Sequence, residues 1–181
     1  MNPSLARVIA RFDGEADIRF ERLRGNPVLD RVMPAASHLG EFSTVWHVAG
    51  VARGLVTGRW DQTIALAAGL GAESLIVNQG VKRVFRRARP TLSGDARYSI
   101  RTPITSSFPS GHASAATFAA LTLIRWDGRR SIPLWGTLAA TIALSRPYVR
   151  IHHASDIVGG VIVGAALAGV ARRVFRRVGV A

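Results

Sequence analysis

The sequence predicts an all-α protein: a multi-pass transmembrane bundle of about five to six helices, preceded by an amphipathic helix lying at the membrane interface. Three observations predict it. Hydrophobic residues make up 48% of the 181-residue chain and aromatics only 7%, with 18 glycines and abundant alanine; helices that pack through small residues use that mix. Apolar stretches recur at roughly 35–56, 60–82, 111–126, 132–148 and 155–175. Trp46, Trp60, Trp126 and Trp135 mostly fall near the predicted ends of these stretches, where amphipathic rings anchor helices at an interface. The length suits one domain spanning residues 1–181.

Residues 1–27 form the first element. Leu5, Val8, Ile9, Phe12, Ala16, Phe20 and Leu23 follow a helical period, interrupted by Arg7, Arg11, Asp13, Glu15 and Asp17. This pattern is not that of a cleavable signal peptide; it reads as an interfacial helix closed by Gly25-Asn26-Pro27. The cleanest uncharged cores of the later stretches, Gly111 to Ile124 and Ile157 to Ala171, are shorter than the ~20 residues of a spanning helix. On length alone they also suit buried helices of a soluble bundle. Ends that snorkel through arginine and the Gly160-x-x-x-Gly164 spacing favour the membrane. Residues 83–108 form a polar, Arg-rich loop with Pro90 and Pro103, of the kind that carries active-site groups. Antiparallel hairpins then bring four ends to one side: the end of the second stretch, the start of the third, the end of the fourth and the start of the fifth.

The formal charge of +13 would suit a nucleic-acid partner. The arginines, however, cluster between apolar stretches, as in membrane loops, and no nucleic-acid partner is expected. With no cysteine there is neither a disulfide framework nor a thiolate metal site. Lys82 is the one lysine among 24 basic residues, which singles out a place for a compact ammonium.

The chemistry lies at the four converging ends. The second stretch closes on Lys82-Arg83-Val84-Phe85-Arg86-Arg87-Ala88-Arg89-Pro90, and the third opens on Pro109-Ser110-Gly111-His112. Between the fourth and fifth lies Ser145-Arg146-Pro147-Tyr148-Val149-Arg150-Ile151-His152-His153-Ala154-Ser155-Asp156. Taken singly, these read as a headgroup contact, a helix cap and a helical His–Asp pair. Together they make a phosphate site. Guanidinium groups bind phosphate oxygens bidentately, and the helix opening at Ser110 offers free N–H groups with a positive dipole end. Gly111 lets the backbone approach an anion closely. One histidine can attack while the other protonates the leaving oxygen, and Asp156, one helical turn from His152, can fix its tautomer.

These segments resemble the three-part signature of the type 2 phosphatidic acid phosphatase superfamily, shared with vanadium haloperoxidases. Lys82, Arg89 and Pro90 match Lys-x6-Arg-Pro; Pro109 to His112 match Pro-Ser-Gly-His; Ser145, Arg146, His152 and Asp156 match Ser-Arg-x5-His-x3-Asp. The resemblance implies a helical bundle, no cofactor or metal, and a phosphohistidine intermediate on His152. His112 would protonate the leaving group and then activate water, and Asp156 would orient His152. Lys82, Arg89, Ser110, Gly111 and Arg146 would bind phosphate. Many membrane members have six crossings, whereas five stretches plus an interfacial helix are counted here. His153 is read as a bystander, Glu73 and Asn78 as helix–helix contacts, and His38 and His47 as packing or interface residues; no histidine spacing suggests zinc.

The expected activity is hydrolysis of a lipid phosphomonoester or diphosphate: polyprenyl diphosphate or phosphate, phosphatidic acid, phosphatidylglycerol phosphate or a polyprenyl-linked sugar phosphate. A soluble haloperoxidase of this pattern is much longer. A non-catalytic basic membrane protein binding anionic lipid is the alternative from another class. Opposite the pocket stand Arg53, Arg59, Arg125, Arg129, Arg130, Arg172, Arg173, Arg176 and Arg177, against Arg83, Arg86, Arg87, Arg97, Arg101 and Arg150 on its own side. By the positive-inside tendency the pocket faces the extracytoplasmic side.

Overall fold

The computed structural model describes residues 3–91, 94–100 and 105–180; Arg101 and Pro103 of the predicted loop lie outside the described residues. Among them every regular element is helical. We number the helices α1 (Pro3–Glu21), α2 (Leu29–Leu39), α3 (Thr44–Thr57), α4 (Trp60–Val84), α5 (Gly111–Asp127), α6 (Ile132–Tyr148) and α7 (Ala154–Arg177).

Helix α5 is the axis of the bundle. Ser110 caps its start, its hydroxyl accepting the Ala113 N–H at 3.4 Å, and Gly128 ends it at φ 81°. Its buried face is mostly small: Ala113, Ser114, Ala115, Ala116, Ala119 and Ala120. Small side chains let neighbouring backbones come close. Helix α7 uses this through Gly160 and Gly164. A Cβ on Gly160 would meet the Ser110 carbonyl, and one on Gly164 would run into the backbone of Ser114. Gly164→Val is therefore expected to cost about 1–3 kcal/mol of stability, the range for overpacking a tight site. Gly169 has nothing within 4 Å of such a Cβ, so Gly169→Val should leave the thermal midpoint in detergent unchanged. Equal midpoints for the two variants would contradict the close α5–α7 approach.

The first predicted stretch, 35–56, is not one helix. It is broken into α2 and α3 by a 3-10 turn at Glu41–Ser43, where Phe42 (φ 52°) and Ser43 (φ 58°) take left-handed conformations. Helix α3, with 14 residues, spans only about 21 Å at 1.5 Å per residue. Gly40, at the end of α2, permits a close approach to α5: a Cβ there would meet the His112 ring and Ile142. Trp46 also departs from expectation. It is 1% exposed and packs on Trp135 at 6.5 Å, so it fills the core instead of anchoring at an interface.

Helix α4 contains a π-turn at Ile76–Val81. Its wider winding rotates the last turn of the helix relative to the first, and such turns are frequent at functional sites. It delivers Lys82 into the bundle, where the residue is 7% exposed.

Helices α4 and α7 are long and apolar enough to cross a membrane, and only 22% of each apolar window is buried in the protein. Their outer faces carry Ile64, Leu75, Val158, Ile162 and Val170, all exposed.

Helix α1 is amphipathic as predicted, but its acidic side turns inward. Asp17 and Glu21 accept from Arg24, whose guanidinium also donates to the Pro147 and Tyr148 carbonyls at 2.9 and 2.8 Å. Arg24 thus satisfies carbonyls at the C-terminal end of α6, where a cation is favoured. Leu5, Val8 and Phe12 remain exposed on the outer side.

Candidate active site

The four ends predicted to converge do so around a cavity of about 520 Å³, whose walls include Lys82, Gly111, His112, Arg146 and His152. Arg89 joins from the loop after α4, its Nη1 3.2 Å from His152 Nε2.

His152 is 3% exposed. It lies in the turn before α7 and not on the helix, so its meeting with Asp156 is not a helical i,i+4 pair as the spacing suggested. His153 takes the N-cap position, and Asp156, in the first turn of α7, folds back to accept the His153 N–H at 2.8 Å. The same Asp156 oxygen, Oδ2, lies 3.4 Å from His152 Nδ1 and accepts the Ser107 hydroxyl at 2.5 Å. Donor chemistry fixes the tautomer. Arginine has no acceptor lone pair, so Nε2 facing Arg89 must be the unprotonated nitrogen. Nδ1 then carries the hydrogen towards Asp156. The lone pair on Nε2 is the one that can attack.

The electrostatics agree. Burial, reinforced by the charges of Arg146 and Arg89, pushes the His152 imidazole from 6.5 down to about 3, against the opposing pull of Asp156. The imidazole of the unliganded protein is therefore neutral above about pH 3, and no acid limb from His152 is expected near pH 6.5 in kcat/KM. Stability follows the same sign. Between 6.5 and about 3 the folded state binds fewer protons than the unfolded chain at this residue. Its contribution is full above 6.5 and is lost as pH falls through that window. His152→Asn should flatten the fall of the thermal midpoint below pH 6.5; an unchanged slope would mean the imidazole is not held neutral.

Arg146, at the end of α6, is 1% exposed, and its Nε has no hydrogen-bond partner among the described residues. Its Nη1 donates to the neutral hydroxyl of Ser37. A buried cation with an unused donor is costly without an anion to receive it. Lys82 Nζ reaches Thr105 Oγ1 at 3.5 Å, and a Cβ added to Gly111 would stand 3.7 Å from Nζ, inside the cradle. Arg89 donates to the Ile151 carbonyl at 2.7 Å and the Thr105 carbonyl at 3.1 Å, which clamps the loop over His152. Ser110 is fully buried, with its N–H bonded to the Asp156 carbonyl at 3.0 Å. His112 Nε2 lies 3.0 Å from the Ser37 carbonyl, which can only accept, so Nε2 carries a proton.

All eight sequence-predicted residues, Lys82, Arg89, Ser110, Gly111, His112, Arg146, His152 and Asp156, are thus brought together. Sequence reasoning missed Ser37, which joins His112 to Arg146, as well as Ser107 on Asp156 and His47 in the cavity wall. Glu73 and Asn78, expected as helix–helix contacts, line that wall together with Ser74, and Asn78 donates to Ser74 Oγ at 3.0 Å within α4. His38 is an outlying contact, 3.0 Å from the Ser99 carbonyl. No group of metal-ligating side chains occurs among the described residues.

A helical bundle holding a buried histidine–aspartate pair against a basic, helix-capped cavity has the charge and the donors to suit a phosphate-like anion. Residues 62–179 match the PAP2 superfamily, and the chain belongs to that superfamily. It is 36% identical over 142 residues to the decaprenylphosphoryl-5-phosphoribose phosphatase of Mycolicibacterium smegmatis, covering 76% of this chain and 74% of that protein. The fold is similar to the transmembrane PAP2-type phosphatidylglycerolphosphate phosphatase of Bacillus subtilis (TM-score 0.68, 21% identity, 96% of this chain and 95% of that one). It is also similar to LpxE of Aquifex aeolicus (TM-score 0.70, 19% identity, 88% and 93%).

Proposed function

We propose that this protein is a multi-pass membrane phosphatase acting on a lipid phosphomonoester or diphosphate, with residues 1–181 forming one phosphatase domain. The observation that carries the proposal is the buried, Asp156-paired His152 facing the cavity that holds Arg146 and Lys82. The phosphate sits among Lys82, Arg89, Arg146 and the Ser110–Gly111 helix start, where its oxygens take the unused Arg146 donor and draw Arg89 away from Nε2. His152 Nε2 then attacks phosphorus, and the bond to the leaving oxygen breaks as His112, doubly protonated beside the bound phosphate, gives that oxygen its Nδ1 proton and keeps its Nε2–H on the Ser37 carbonyl. In the second step His112 takes a proton from water, the water oxygen attacks phosphorus, and the N–P bond breaks to release phosphate. Asp156 holds the Nδ1 hydrogen throughout. No step needs a metal.

Bilayer embedding explains the exposed apolar faces of α4 and α7 and suits a substrate whose tails stay in lipid. The arginine distribution favours a cavity on the extracytoplasmic side. Among substrates we put a polyprenyl-linked sugar phosphate first, ahead of polyprenyl diphosphate or phosphate, phosphatidylglycerol phosphate and phosphatidic acid; the similarity to a decaprenylphosphoryl-5-phosphoribose phosphatase supports that order.

The test is phosphate release from this lipid panel by detergent-solubilised protein with chelator present. Release from at least one polyprenyl phosphate, undiminished by chelator, is expected. Activity that disappears on chelation contradicts the metal-free mechanism, and binding without any release would leave the anionic-lipid-binding alternative.

A further inference from the structure

Arg87 lies outside the residues that the phosphate chemistry uses, yet its side chain bonds directly to one of them, Asp156. Its Nη1 donates to Asp156 Oδ1 and to Ser155 Oγ, both at 2.7 Å, and its Nη2 donates to Asp13 Oδ2 at 2.6 Å. Its backbone is tied to the same neighbourhood: the Arg87 carbonyl accepts from Ser107 N–H at 3.0 Å, and its N–H donates to Ser106 Oγ at 3.1 Å. Asp13 belongs to α1 and is 8% exposed. Besides Arg87 it accepts the Ser155 N–H and hydroxyl, both at 2.8 Å, at the first turn of α7.

The division of labour on Asp156 is what matters. Oδ2 carries Ser107, His153 and His152, whereas Oδ1 is held by Arg87. A carboxylate loaded on one oxygen alone can turn about its bond to Cβ. A charge-assisted bond on the other oxygen fixes its plane, and with it the direction in which Oδ2 meets His152 Nδ1. Arg87 is in turn a cation whose second arm needs an anion, and Asp13 supplies it from a different helix.

We propose that Arg87 is a positioning residue for His152, and that Asp13 acts through Arg87, so that docked α1 is part of the working active site. The inference rests on His152 being the nucleophile.

The test uses the full chain in lipid nanodiscs, with the lipid phosphate that the wild type hydrolyses. Arg87→Met, Arg87→Lys, Asp13→Asn and the Asp13→Asn/Arg87→Met double variant are compared for kcat, KM and thermal midpoint. Arg87→Met should lower kcat by about tenfold or more with KM within about twofold, as expected of a group that orients another. Arg87→Lys should recover part of the loss. The double variant should be no slower than Arg87→Met alone, since neighbours acting in series do not add. A kcat for Arg87→Met near the wild-type value, or losses that multiply in the double variant, would overturn the inference. If Arg87→Met does not fold, Asp13→Asn and Arg87→Lys decide it: both must lose kcat at unchanged KM, and wild-type kcat in both overturns it. His152→Ala run alongside separates the two levels. If it stays active, the nucleophile assignment itself has failed. If it is inactive while Arg87→Met keeps full kcat, only the positioning role has failed.

Discussion

His152→Ala is expected to lower kcat for lipid-phosphate hydrolysis by about a thousandfold or more, since the variant loses the covalent route and not merely an orienting contact. Binding should survive. Lys82, Arg89, Arg146 and the Ser110–Gly111 helix start remain in place, and a smaller side chain opposite them leaves more room for the phosphate. Phosphate-competitive inhibition of the wild type and direct anion binding by the variant should therefore report similar affinities. Steady-state kinetics on micellar substrate check the first half, and calorimetric titration with phosphate checks the second. Undiminished hydrolysis in His152→Ala would move the chemistry to another residue.

His112→Gln should give the next largest effect, about a hundredfold to ten-thousandfold in kcat for a lipid substrate, the range spanned by general acid–base groups. Its signature differs from that of His152. With an activated leaving group, such as an aryl phosphate, protonation of the leaving oxygen matters little and attack by His152 proceeds. The second step still needs a base to draw a proton from water, so the variant should stall after one turnover. A burst of aryl alcohol equal to the enzyme concentration, followed by a slow phase, is the predicted rapid-mixing trace. A uniformly slow trace with no burst would deny His112 its part in the second step. The contact between His112 Nε2 and the Ser37 carbonyl keeps the ring facing the cavity, and Gly40 makes room for it.

Much of this is legible in the chain. The apolar stretch 132–148 coincides with helix α6, and 111–126 and 155–175 fall within two residues of α5 and α7. Their apolar runs 111–124, 132–145 and 157–171 carry no charge and their starts carry Ser110, Pro133 and His153, so local signals and packing agree. The stretch 35–56 misleads because its break depends on left-handed backbone at Phe42 and Ser43, residue types that seldom adopt it, while Gly40 stays right-handed. The π-turn of α4 leaves no trace in hydrophobic spacing either. Within the site, the signature residues can be found because their spacing is fixed by the ends of helices. Ser37, Ser107 and Arg87 cannot: each reaches the site through tertiary contacts with a segment far away in sequence. Arg87 is further hidden in a run with Arg83 and Arg86, where composition gives no reason to choose one arginine over another. The Asp156–His152 pair is suggested by a helical spacing that the structure replaces with a capping turn.

The central claim is that phosphate passes through His152, and trapping that intermediate tests it most directly. Protein mixed with a 32P-labelled lipid phosphate and quenched in alkali within a single turnover should carry label that is stable to base and released by acid. The label should map to the peptide containing His152 and vanish in His152→Ala, and with a 32P-labelled aryl phosphate in place of the lipid it should accumulate in His112→Gln. Turnover with no protein-bound phosphate at any quench time, or label on a residue other than His152, would contradict the account.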